Sequence, residues 1–234
     1  VFERPHHRRI AAVLSALDGR LLREANCLFG GGTAIALRFG EYRESVDIDF
    51  LVSDVGSYRQ LRQLLTGPAG FAGLLKAGST PFILAGELRA DQYGIRTSLL
   101  VAEQPIKFEI VLEARIALEA PAASDEVCGI TTLSVLDLAT SKLLANADRW
   151  SDDGVFSRDV IDLAMMCPAL PLLRKAVAKA EQAYGQSICR DLEKAIDKLQ
   201  SRHGWLERCM QAMAISLPKA VLWQRIRALR RILP

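Results

Sequence analysis

The spacing of the apolar residues changes character once along the chain, and that change limits the fold more than any other feature. In the first half, short runs alternate. "VDIDFLV" places Val46, Ile48 and Phe50 on one face of a strand and Asp47 and Asp49 on the other. "GIRTSLLVA" and "PIKFEIVLEARI" read as two further strands joined by a short polar turn, with Lys107, Glu109 and Val111 sharing a face. Helices interrupt these runs: one over residues 8–25, with Ile10, Val13, Leu14, Leu17 and Leu21 on a single stripe, one over "TAIALRF", and one from Ser57 to Leu65 that "GPAG" stops. From Ser134 onward the period becomes helical. Ser134 and Asp137 stand at capping-box spacing ahead of "LDLATSKLLANADRW", the loop "SDDGVFS" leads to another helix start at "RDVIDLAMM", and after Pro168 and Pro171 the pattern stays helical. Strands confined to one half and helices filling the other imply an α+β protein. The stretch "APAASDEVCGIT" is the natural junction, which gives domains at 1–125 and 126–234.

At 234 residues, half of them hydrophobic, the chain can bury one large core or two modest ones. Its apolar runs are too short and too punctuated to span a bilayer and no charged-then-apolar leader opens it, so the expectation is a cytoplasmic protein without membrane contact. Cys27, Cys128, Cys167, Cys189 and Cys209 are scattered with no CxxC pair, which argues for reduced thiols and against zinc. The net charge of +3 is too small to indicate nucleic acid by itself. The tail "WQRIRALRRILP" nevertheless carries Arg225, Arg227, Arg230 and Arg231 with no acid among them. Two readings stay open for it: a phosphate-contacting face, or an amphipathic helix whose Leu222, Ile226 and Leu229 pack inward while the arginines are solvated.

The chemistry concentrates in "GGGTAIALRFGEYRESVDIDF", residues 30–50, where a glycine turn opens a short helix and two carboxylates follow on the next strand. A glycine turn at a helix N-terminus presents backbone N–H groups to phosphate oxygens with no side chain in the way, and Gly31, Gly32 and Thr33 fit that description. Hard carboxylate oxygens converging from neighbouring strands suit a divalent magnesium bound with a nucleoside triphosphate, and Asp47, Asp49 and Glu109 are the candidates. The turn lacks the GK[ST] of a P-loop and the GxGxxG of a dinucleotide fold. Glu109 has an alternative role as the ion-pair partner of Lys107 or a nearby arginine. His6, His7 and His203 show no ligand spacing and receive no role.

Taken together, "FGGGTAIALRFGEYRESVDIDFLV", "PIKFEIV", "ITTLSVLDLATSKLLANADR" and "SRDVIDLAMM" resemble the AbiEii/AbiGii toxin family of nucleotidyltransferases, within the DNA polymerase beta-like superfamily. The resemblance covers roughly Leu28 to Met166. It implies a polymerase beta-like core, a mixed sheet flanked by helices, followed by a helical C-terminal domain that completes the cleft. It places triphosphate binding on Gly31, Gly32 and Thr33, metal on Asp47 and Asp49 with Ser45 ahead of them, and the third acid on Glu109, where relatives often have aspartate. Lys142 matches the family's helical lysine, a partner for triphosphate oxygens or the leaving pyrophosphate. The late acidic motif falls on "RDVID", with Asp159 preferred to Asp162; charging the start of its helix beside Ser157 is the simpler role for Asp159. The implied reaction is a magnesium- or manganese-dependent transfer of a nucleoside monophosphate from an NTP to an acceptor hydroxyl. The implied setting is a toxin–antitoxin or phage-defence system, with tRNA as acceptor and a cognate antitoxin as partner. An aminoglycoside-type small-molecule nucleotidyltransferase and a non-catalytic, antitoxin-like binding protein are the alternatives.

Overall fold

The computed structural model describes residues 2–233, which divide into two compact units. The first comprises residues 2–38 and 45–134, and the second residues 39–44 and 135–233.

The first unit opens with α1 (Pro5–Ala16) and α2 (Gly19–Glu24). The single helix expected over 8–25 is thus two, because the Asp18 carboxylate caps a new start by accepting from the N–H groups of Arg20 and Leu21. The break shifts the helical phase: Ile10, Val13, Leu14 and Leu17 are buried as expected, but Leu22 takes the core position in place of Leu21. Then come β1 (Leu28–Gly30), α3 (Gly31–Arg38), β2 (Ile48–Val52) and α4 (Val55–Thr66). The short strands β3 (Ile83–Leu84) and β4 (Arg89–Ala90) precede the long hairpin of β5 (Gly94–Val101) and β6 (Gln104–Leu112). A separate small hairpin, β7 (Glu126–Val127) with β8 (Ile130–Thr131), ends the unit. These four two-residue strands left no alternation to read.

The sheet runs β1-β2-β6-β5-β3, with β4 also on β5. It is mixed, because β2 and β6 are parallel while β1–β2 and β5–β6 are antiparallel. One face carries Phe50 and Phe108, whose rings lie 5.5 Å apart, with Phe29 packed on Phe50 and Phe71 edge-on to Phe108. Such aromatic contacts add about 0.5–1.5 kcal/mol each beyond area burial. This dry face fixes the register, since a slip of one residue would turn Ile48, Phe50 and Val52 toward the polar side. Val46, expected on the same inward face, lies ahead of the strand and is 49% exposed.

The second unit holds α5 (Val135–Arg149), α6 (Arg158–Met165), α7 (Leu170–Tyr184), α8 (Ser187–Ser201), α9 (Trp205–Ala212) and α10 (Lys219–Ala228). In the arginine-rich tail, Leu222, Ile226 and Leu229 are buried as an amphipathic pattern requires. Arg230 pairs with Asp197 of α8, so this arginine has an acidic partner from elsewhere in the chain. Among the described residues, no helix is long and apolar enough to cross a membrane.

Candidate active site

Two of the expected acids, Asp49 and Glu109, fall in one row of the sheet of the first unit. Pairing register sets Gly30 opposite Asp49, Asp49 opposite Glu109, and Glu109 opposite Arg96, one row across four strands. Gly31 begins α3 directly after β1 with φ +67°, a left-handed backbone that costs an L-residue about 1–2 kcal/mol. Its missing side chain matters for a second reason. A Cβ there would stand 2.4 Å from Oδ2 of Asp49, so only glycine lets the helix N-terminus close on that carboxylate.

Thr33 is fully buried. Its hydroxyl lies 2.8 Å from Oγ of Ser45 and donates to the carbonyl of Asp47, so it holds the loop before β2 and is turned away from solvent. Those bonds use the side chain alone, so the backbone N–H is the group through which Thr33 would meet a triphosphate. Asp47 precedes β2, and both Asp47 and Asp49 are half-buried. Glu109, expected as a third metal ligand or as an ion-pair partner, engages Arg96 at 3.1 Å through one oxygen and Lys107 at 2.9 Å through the other. Among the described residues no group of three or more His, Cys, Asp or Glu side chains is arranged to hold a metal ion. Magnesium is commonly bound by one or two carboxylates plus substrate phosphates, and the paired aspartates fit that donor set.

Lys142 and Asp159 belong to the second unit. Lys142 is buried between two carboxylates, 2.9 Å from Asp159 and 2.7 Å from Asp162. Arg149 forks onto Asp159, while Asp162 receives a two-pronged contact from Arg43 and the phenol of Tyr42. Burial alone would raise the Asp159 carboxyl; the charges and hydrogen bonds of Lys142 and Arg149 outweigh it and hold it well below the usual range. Asp162 is likewise depressed against its own burial, by Arg43 and Lys142. Lys142, expected to contact the triphosphate, and Asp159, expected at the site as the late acidic residue, form a buried ionic core joining α5 to α6. Ser157 makes no side-chain cap, and Asp159 spends its oxygens on that core.

Sequence reasoning missed the partners of these groups. Tyr42 and Arg43 sit in a loop without periodicity, and their contacts with Asp162 span about 120 residues. His6 and His7 also gain a role, since both reach the Ser45–Asp47 loop.

Residues 13–228 match the profile of the nucleotidyl transferase AbiEii toxin family, of type IV toxin–antitoxin systems. The chain belongs to this family. As an AbiEii-family protein it is a nucleotidyltransferase. Two solved structures share the fold at 16% identity: a protein from H. pylori described as a nucleotidyltransferase, with TM-score 0.52 over 97% of this chain and 94% of that one, and JHP933 from Helicobacter pylori, with TM-score 0.53 over 97% and 91%. None of the curated proteins matches the sequence.

Proposed function

We propose that this AbiEii-family protein transfers a nucleoside monophosphate from an NTP to a hydroxyl of RNA, with tRNA as the acceptor, and that Asp47 and Asp49 hold the magnesium ion the reaction uses. The observation carrying this reading is the closure of Gly31 on the Asp49 carboxylate, which puts a helix N-terminus suited to phosphate beside an acid suited to metal. When bound, the metal would neutralise phosphate charge and favour ionisation of the attacking hydroxyl. In the transfer, a bond forms between the acceptor oxygen and the α-phosphorus, the bond to the β-phosphate bridging oxygen breaks, the hydroxyl proton leaves and pyrophosphate departs. Gly31 and Gly32 would seat the phosphates on backbone N–H groups. Glu109 would orient the acceptor side of the site through Arg96 and Lys107, outside the ligand pair. Lys142 and Asp159 would act by holding α5 and α6 in place.

An RNA acceptor is favoured by the exposed Arg227 and Arg231 near the end of the chain, which a small-molecule acceptor would not need. A cytoplasmic toxin silenced by a cognate antitoxin and released in phage defence is the setting that fits such an activity. The test is incubation of the protein with each α-labelled NTP and total bacterial RNA. Asp47→Ala and Asp49→Ala should fold and lose label transfer by orders of magnitude, since neither side chain packs in the core; near-normal transfer by both would remove the two acids from the mechanism.

A further inference from the structure

We propose that His6 and His7 are positioning residues for the transfer: they fix the backbone of Ser45–Asp47 and so aim the Asp47 carboxylate. This rests on the reading that Asp47 serves the reaction. The three residues before β2 lie outside any ladder and need partners for their backbone groups from elsewhere. Side chains supply them one after another. The N–H of Ser45 donates to Nε2 of His7 at 3.1 Å, the carbonyl of Val46 accepts from Nε2 of His6 at 3.1 Å, and the carbonyl of Asp47 accepts from the Thr33 hydroxyl.

The two imidazoles must then be opposite tautomers. A backbone N–H can only donate, so Nε2 of His7 is bare and its proton is on Nδ1. A carbonyl can only accept, so Nε2 of His6 carries the proton, which leaves its Nδ1 to accept from Arg9 Nη2 at 3.2 Å. Both rings occupy the first turn of α1, behind Pro5. His7 is completely buried and continues the stripe of Ile10, Val13 and Leu14, all at 0% exposure. Its place is therefore set by the core, and it transmits that rigidity to the loop. His6 grips a more exposed part of the chain, where water can replace it.

Long-range nitrogen–proton NMR of the intact protein at neutral pH should show His7 protonated on Nδ1 only and His6 on Nε2 only. Identical tautomers, or a doubly protonated His7, would overturn the proposal. Misplacing a reacting group by an ångström can lower turnover about 100-fold, and that is the loss expected in RNA labelling by His7→Leu at unchanged affinity for a non-hydrolysable NTP analogue. His7→Gln, whose amide oxygen can accept in place of Nε2, should restore most of the turnover, and His6→Phe should lose less than His7→Leu. A folded His7→Gln protein as inactive as Asp47→Ala would overturn the proposal, as would a fully active His7→Leu. If His7→Leu does not fold, the tautomers and His7→Gln decide. Full activity of Asp47→Ala would instead remove the role of Asp47 itself, a separate outcome.

Discussion

Replacing Gly31 by alanine should separate what the glycine does for the fold from what it does for the site. With φ at +67°, an alanine there costs about 1–2 kcal/mol in backbone strain alone. For a chain of this length that lowers Tm by about 2–4 °C per kcal/mol. The added methyl would stand 2.4 Å from Asp49 Oδ2, and ordinary contact begins near 3.4 Å, so the carboxylate must retreat by about 1 Å (3.4 − 2.4) or α3 must move away. Either response disturbs the pairing of phosphate seat and acid, and a shift of that size can reduce turnover about 100-fold. Gly129 supplies the matched control, with φ +79° and nothing within 4 Å of an added Cβ. Gly129→Ala should lose similar stability and keep its activity. The assay is thermal unfolding of both variants beside label transfer from NTP to RNA, measured well below either Tm. Equal activity of the two, at equal stability, would refute the claim that the contact between Gly31 and Asp49 organises the site.

The ionic core of the second unit should show itself in acid. The Asp159 and Asp162 carboxyls are depressed in the folded state, so their contribution is complete above the unfolded pKa of about 3.9 and is lost as pH falls below it; Asp162→Asn should flatten urea-unfolding stability against pH in that acid range. Arg43→Met leaves Asp162 buried without its two-pronged partner and should cost about 3–5 kcal/mol in chemical denaturation. By contrast, Arg230→Gln, at a pair whose acid is half exposed, should cost less than about 1 kcal/mol. The β5–β6 hairpin turns through Ala102 and Glu103, both at positive φ, so the double change Ala102→Asn with Glu103→Gly should raise stability by about 1–2 kcal/mol, read as a higher Tm.

What the sequence determined by itself were the features written in local pattern. Alternation in "PIKFEIV" and "GIRTSLLVA" located β6 and β5, and the 3.6-residue stripe located α5, because a strand or helix must bury one face whatever its partner is. The glycine turn and the D-x-D pair were legible for the same reason, since both lie within one short stretch of chain. Only the tertiary structure decided which charges meet. Glu109 could serve a metal or a cation by its sequence, and strand register is what sets Arg96 beside it. Lys142 was legible as a partner for phosphate oxygens, and only packing showed that α6 brings Asp159 and Asp162 against it. His7 carried no motif, because its partner Ser45 is 38 residues away. Periodicity reports what an element buries; it carries no record of which distant polar group arrives to satisfy a buried N–H or charge, and that choice is made when the elements pack.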